Sequence, residues 1–204
     1  MVPVTLVNYG LGNIKAFAHI YDRLNIPVRI ANTPEEIADA QKIILPGVGA
    51  FDWAMTRLNA SGLREALDKR VLTDKVPVLG VCVGMQMMGK DSAEGKLPGL
   101  GWIDAEVVHF HSIRNTSAPL PHMGWNDVSP KMTGCIFNGI ANPRYYFLHS
   151  YCVVPRDPSR VLAVADYGCA FAAAVRQEHI FGTQFHPEKS HAWGIQLLRN
   201  FAEL

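Results

Sequence analysis

Two stretches of this chain have the residue types and spacing for covalent chemistry: Gly80-Val81-Cys82-Val83-Gly84 and His186-Pro187-Glu188. Cys82 stands between two glycines, after the apolar run Val76-Pro77-Val78-Leu79 and before a Met-rich helical start. Where a strand feeds a helix through such a turn, the middle side chain is held out and the glycines let the crowded backbone pass. That pattern resembles a nucleophile elbow, although a buried core cysteine with two incidental glycines has the same letters. A nucleophilic cysteine needs a base, because a free thiol titrates near pH 8.5 and an adjacent imidazole favours the thiolate. Among eight histidines His186 stands out. It ends a strand that Pro187 stops, and Glu188 lies two residues on, where an extended backbone puts both side chains on one face. The carboxylate there can hold the ring and its tautomer, but a solvated strand-end histidine also fits His-Pro-Glu.

A third element is the turn Pro46-Gly47-Val48-Gly49 at the end of another apolar run. In open parallel sheets ligands bind beyond the carboxyl ends of the strands, so this turn and the Cys82 elbow belong on one edge. Its N–H groups, with that of Val83, are suited to an oxyanion. Alone, the same letters describe an ordinary turn.

The elements that must position these groups follow from periodicity. Pro3–Asn8 reads as a strand, Gly10–Gly12 as a turn, and Asn13–Leu24 as a helix with Ile14, Phe17, Ala18, Tyr21 and Leu24 at helical spacing. Strand Val28–Ala31 runs into Asn32-Thr33-Pro34-Glu35-Glu36, where Thr33 caps, Pro34 suits the first helical position and Glu36 completes a capping box. Gln41–Leu45 and Val76–Val81 are further strands. Continuous apolar strands alternating with helices predict a parallel sheet covered on both faces. Beyond Gly99, the segments Trp102–Phe110, Tyr145–Val153, Val161–Asp166, Ala170–Arg176 and His179–Phe185 are short and aromatic or β-branched. After Pro187, Leu197, Leu198 and Phe201 give a closing helix its apolar face. No repeat or linker interrupts the chain, so one mixed-sheet domain over 1–204 is expected.

Composition narrows the classes of function. The chain has 204 residues, 49% of them hydrophobic and 18% charged, enough for one substantial core. A net charge of +1 with scattered Lys and Arg gives no nucleic-acid footprint. The nearly apolar run Val76 to Gly89 is shorter than the roughly 20 residues that span a bilayer, and the amino terminus lacks a basic leader, so no membrane role and a cytoplasmic location are expected. Cys82, Cys135, Cys152 and Cys169 form no CxxC pair, which argues against a zinc site or a dense disulfide framework. The last three fall within apparent strands, as small hydrophobes. His109, His111 and His122 flank a turn-rich segment and are expected to be solvated, with no metal bound.

Taken together, "NYGLGN", "LPGVGAF", "PVLGVCVGMQ", "LPHMGWN", "YYFLHSY" and "GTQFHPEKS" resemble, in order and over almost the whole chain, the motifs of class I (triad) glutamine amidotransferases. Within that family the likeness runs to the glutaminase subunits of imidazole glycerol phosphate synthases. The resemblance implies a flavodoxin-like three-layer α/β sandwich around a central, mostly parallel mixed sheet. It implies hydrolysis of L-glutamine to glutamate and ammonia without a cofactor, and a heterodimer with a (β/α)8-barrel synthase subunit. Ammonia passing to that barrel serves the synthesis of imidazole glycerol phosphate and AICAR in histidine biosynthesis. By matching position, Cys82 is the nucleophile, His186 the general base and acid, and Glu188 the residue that orients it. Gly47, Val48 and Val83 belong to the oxyanion site, and Gly49, Gln86, Glu94, His149, Ser150 and Tyr151 to glutamine binding. Asn13, Met123, Trp125 and Tyr146 match positions turned towards the synthase, although Trp125 and Tyr146 also suit a core. Val83 stands where leucine is usual and methionines follow Gln86; the backbone N–H is unchanged by either.

The same residues leave other readings open. Some members of the family supply ammonia for amidination of a bacterial surface sugar, and "CVGMQMM" and "GLGWIDAEV" resemble that branch. Outside the family's chemistry, the chain could be a non-catalytic binding subunit or a cysteine hydrolase acting on peptides. Retention of Cys82, His186 and Glu188 speaks against the first, and the small pocket implied by Gln86 and Glu94 against the second.

Overall fold

The structure is a computed structural model and describes residues 2–113, 117–132 and 134–204. Its elements run in the order β1 Val4–Val7, α1 Ile14–Arg23, β2 Val28–Ala31, α2 Pro34–Ala38, β3 Ile43–Gly47, α3 Phe51–Ala60, α4 Arg64–Asp68, β4 Val78–Cys82 and α5 Val83–Met87. They continue with β5 Asp91–Ser92, β6 Ala105–His109, β7 His122–Asp127, β8 Ser129–Pro130, β9 Arg144–His149, β10 Tyr151–Pro155, β11 Val161–Asp166, β12 Ala170–Gln177, β13 Ile180–Thr183 and α6 His191–Glu203.

Among the described residues, eight strands form one mixed sheet in the order β2-β1-β3-β4-β13-β12-β11-β8. The first five are mutually parallel, and β12, β11 and β8 extend them in antiparallel fashion. Every residue of β1, β3, β4 and β13 is buried, which explains why these runs show no polar alternation. On α1 the buried side chains are Phe17, Ile20 and Tyr21, and the Tyr21 hydroxyl donates to the Leu198 carbonyl at 3.1 Å, tying α1 to α6. The Thr33–Glu36 capping box forms as the sequence predicts. Leu197, Leu198 and Phe201 are fully buried. Burying such a side chain contributes about 1.5–3 kcal/mol, so α6 is a structural wall of the sheet.

The register of the parallel strands sets the site. Gly182 of β13 faces Gly80 of β4, and Gly47 of β3 faces Cys82. The loops after β3, β4 and β13 therefore emerge side by side.

Several expectations are corrected. Tyr145–Val153 is not one strand: it breaks at Ser150 into β9, paired with β7, and β10, paired with β6. No glycine or proline marks this break, which is made by tertiary pairing. His122 opens the six-residue strand β7, an element the sequence did not suggest. Of the three cysteines expected in strands, Cys152 lies in β10, while Cys135 opens a 3₁₀ turn at φ 51° and Cys169 lies in the turn before β12.

Candidate active site

Cys82 ends β4 with φ 56° and ψ −115°, a left-handed conformation that costs a residue with a Cβ about 1–3 kcal/mol. Sheet pairing on one side and α5 on the other impose it. A Cβ on Gly84 would overlap the Leu45 carbonyl, and one on Gly47 would overlap the Gly84 nitrogen. Both glycines are thus required where β3 crosses the start of α5, and this close approach sets the 47–49 turn against Val83. From below, the Tyr9 hydroxyl donates to the Pro46 carbonyl at 2.7 Å; burial, with the Cys82 charge adding to it, raises that phenol far above its usual range.

His186 reaches the same edge from the end of β13. Its N–H donates to the Tyr146 carbonyl at 2.9 Å, and its carbonyl accepts from the Ser190 hydroxyl at 2.6 Å. The 3₁₀ turn Pro187–Lys189 follows and brings Glu188 Oε1 to 2.8 Å from His186 Nδ1. The pair therefore forms across a tight turn and not along the extended backbone the sequence suggests, because proline starts a helical turn readily. Burial opposes a charge on His186, yet hydrogen bonds with Cys82 and Glu188, and their charges, outweigh it and push the imidazole up to about 10. These contacts favour the protonated ring.

A cavity of about 330 Å³ opens over Cys82. Val48, Gly49, Val83, Gln86, Glu94, His149, Ser150, Tyr151 and His186 line it, as do Pro121, Leu148 and Lys189, which the sequence reading did not include. Gly47 and Glu188 stand just behind this surface, Gly47 within β3 and Glu188 behind His186. Glu94 Oε2 accepts from the Phe51 N–H at 2.9 Å, at the start of α3. The adjoining Asp52 carboxylate accepts from the N–H groups of Lys96 and Leu97, each at 3.0 Å from Oδ1. Gly95 lets this loop close over Asp52, where a Cβ would strike the carboxylate. Asp52 escaped the sequence reading because its partners lie 44 and 45 residues away.

His122 overturns the expectation of a solvated histidine. It is 2% exposed and stacks between Tyr167 and Phe147, with centroids at 4.0 and 4.7 Å. The Tyr151 carbonyl can only accept, so His149 Nδ1, at 2.9 Å, is the donor, and its Nε2 accepts from His122 Nδ1 at 2.9 Å. Asn126 completes the chain, donating to the Asp166 carbonyl at 2.7 Å and towards His122 Nε2 at 3.3 Å. Burial holds His122 down to about 4; for His149 it acts with the His122 and His186 charges, against the hydrogen bond to Tyr151, to give about 3. Both rings are neutral. Of the other two histidines in that segment, His111 is exposed and His109 half-buried. Among the described residues no cluster of three or more metal-ligating side chains is assembled.

Strand alternation puts Met123 and Trp125 on the outer face of the β7–β9 ribbon, opposite Leu148 and Tyr146. Met123 is 64% exposed, Trp125 37% and Leu148 39%. Trp125 stacks on His191 at 5.2 Å and meets Tyr146 edge-on at 6.2 Å. This apolar face adjoins the cavity through Leu148. Asn13 is exposed at the start of α1, on the same sheet edge.

A mixed, mainly parallel sheet with a cysteine elbow, a buried His–Glu pair and an adjacent N–H turn is an arrangement suited to acyl transfer. Residues 5–204 match the family model for glutamine amidotransferase class-I, and the chain belongs to that family. It is 54% identical over 203 residues to the imidazole glycerol phosphate synthase subunit HisH of Bdellovibrio bacteriovorus, covering 98% of this chain and 100% of that protein. It is 46% identical to subunit HisH 2 of Pseudomonas aeruginosa, covering 98% and 99%. Among solved structures, PurLQS from Thermotoga maritima superposes with a TM-score of 0.72 at 16% identity, covering 98% of this chain and 97% of that one. That likeness is one of fold.

Among the described residues no helix is long and apolar enough to cross a membrane.

Proposed function

We propose that this chain, as one amidotransferase domain over 1–204, is the glutaminase subunit of an imidazole glycerol phosphate synthase. The observation that carries the reading is the meeting of Cys82 and His186 at one cavity, with Glu188 hydrogen-bonded to His186 from behind. Family membership and the names of its full-length relatives support the substrate and the assembly.

The Cys82 thiolate attacks the side-chain amide carbon of glutamine, and the carbonyl electron pair moves onto oxygen. N–H groups of Val83 and of the 47–49 turn face that oxyanion. Val83 opens α5, so its N–H has no acceptor within the helix. Protonated His186 gives its proton to the leaving nitrogen, the C–N bond breaks, and ammonia departs from a γ-glutamyl thioester. The neutral ring then takes a proton from water, whose oxygen attacks the thioester and releases glutamate. Glu188 keeps His186 aligned through both steps. An amide carbon is electrophilic already, so these steps use no metal or organic cofactor. Glu94 is the acidic group suited to the substrate's ammonium, with Gln86 and the 149–151 segment as further walls.

The partner is a separate (β/α)8-barrel synthase subunit in a heterodimer, docked on the apolar face of Met123, Trp125 and Tyr146. Ammonia passes to it for the imidazole-forming step of histidine biosynthesis. The relatives' names favour this acceptor over a surface sugar. The thiols of Cys82, Cys135 and Cys152, none of them in a disulfide, suit a reducing cytoplasm. The test is glutamate release by the purified chain, alone and with the synthase barrel in the presence of the barrel's nucleotide ligand. Stimulation by the barrel, abolished by Cys82→Ala, is expected; no activity with it, or full activity in Cys82→Ala, overturns the reading.

A further inference from the structure

We propose that Gln184 is a further catalytic residue, whose side-chain amide donates a hydrogen bond to the Cys82 sulphur and stabilises the thiolate. The inference rests on the reading of Cys82 as nucleophile and adds a group that the mechanism above does not use. Partners alone determine which end of the amide faces the sulphur. The Tyr151 main-chain oxygen only accepts, so the Gln86 atom 3.1 Å from it is Nε2. The same nitrogen lies 3.1 Å from Gln184, which must present Oε1 there. The remaining end of the Gln184 amide is Nε2, and it faces Cys82 Sγ at 3.8 Å.

A neutral thiol is a weak acceptor and a thiolate a stronger one, so a donor fixed at this place favours the anion. Its setting strengthens the effect: Gln184 is fully buried and Gln86 is 3% exposed, with little water to compete. The sulphur also lies 3.9 Å from the Leu148 carbonyl, which suits an S–H donor and opposes an anion, so an N–H on another side has a penalty to offset. The donor serves twice, because the sulphur leaves again as thiolate when water opens the thioester. It also links the wall of the cavity to the reacting atom, since a displaced Gln86 would release the Gln184 amide.

The test is carboxamidomethylation of the full chain by iodoacetamide at pH 7, read as the mass of the Cys82 peptide. Gln184→Glu keeps the acceptor for Gln86 and replaces the donor by a carboxylate oxygen; Gln184→Met removes the amide at similar volume. Loss of one hydrogen bond to an ion predicts a Cys82 rate about tenfold lower in both, with Cys135 reacting as before. Rates within twofold of wild type in a variant that melts like wild type overturn the proposal. Should both variants unfold, nuclear magnetic resonance of the wild type decides. The Gln184 side-chain amide protons must shift when Cys82 is alkylated, and unmoved signals overturn the proposal. Wild-type Cys82 reacting no faster than Cys135 would instead refute the nucleophile reading itself, whereas a fast wild type with equally fast variants refutes only the role of Gln184.

Discussion

Glu188 Oε1 and His186 Nδ1 lie 2.8 Å apart, with the two side chains 2% and 3% exposed, so a buried carboxyl group and a buried imidazole compensate each other. Removing one charge leaves the other stranded in a dry setting. Glu188→Gln should lower partner-stimulated kcat by about 10²-fold or more with KM within a few-fold, since tautomer and charge both suffer. Titrating His186 by nuclear magnetic resonance checks the cause. The wild-type ring, held up to about 10, keeps its proton at pH 8, while the variant's midpoint falls. An unmoved midpoint contradicts the assignment.

The neutral pair His122–His149 has the opposite sign. Burial depresses both, to about 4 and about 3, below the ordinary value of about 6.5, so their contribution to stability is complete above that value. It is lost as pH falls from about 6.5 through about 4, while the unfolded chain takes up protons that the folded chain refuses. His122→Phe keeps the stack but leaves His149 Nε2 without its donor. A cost of about 1–3 kcal/mol at pH 7 is expected, with a shallower decline towards pH 5 because one depressed group is gone. Urea unfolding at both pH values measures this, and parallel curves for the two proteins would count against it.

Asp52 holds the loop that carries Glu94. Asp52→Asn should raise KM for glutamine by about tenfold with kcat within about threefold, because ground-state and transition-state binding are lost together. Glutaramate, which lacks the α-amino group, should be hydrolysed equally well by both proteins. An equal loss on both substrates would place the defect elsewhere.

Trp125→Ala should weaken binding of the synthase barrel by about tenfold or more, as truncation of a central aromatic anchor does. The melting temperature of the lone chain should move by only about 1–2 °C, because the residue is half-exposed at a ribbon surface. Calorimetric titration with the barrel gives the first quantity and a thermal scan the second.

The parallel half of the fold was legible because its signals are local. Apolar runs without alternation mark β1, β3 and β4, and Thr33-Pro34-Glu35-Glu36 spells its own cap. Cys82 between two glycines, and His186 before Pro187 and Glu188, likewise declare themselves within five residues. What could not be read depends on distant pairing. The break at Ser150 comes from two partners, β7 and β6, and the burial of His122 comes from Tyr167 and Phe147 closing over it. Asp52 and Gln184 follow the same rule. Gln184 lies inside the motif "GTQFHPEKS", yet only the fold shows that its amide points at sulphur.

The adjacency of β4 and β13 also bears on how the protein is made. Cys82 and Gln184 are 102 positions apart in the chain, and His186 follows later still. A ribosome adding about 5–20 residues per second would translate Cys82 roughly 5–20 seconds before His186. On the proposed mechanism, Cys82 has no base during that interval. On that mechanism, glutaminase activity reports that synthesis has run past Glu188 and that β13 has found its place beside β4.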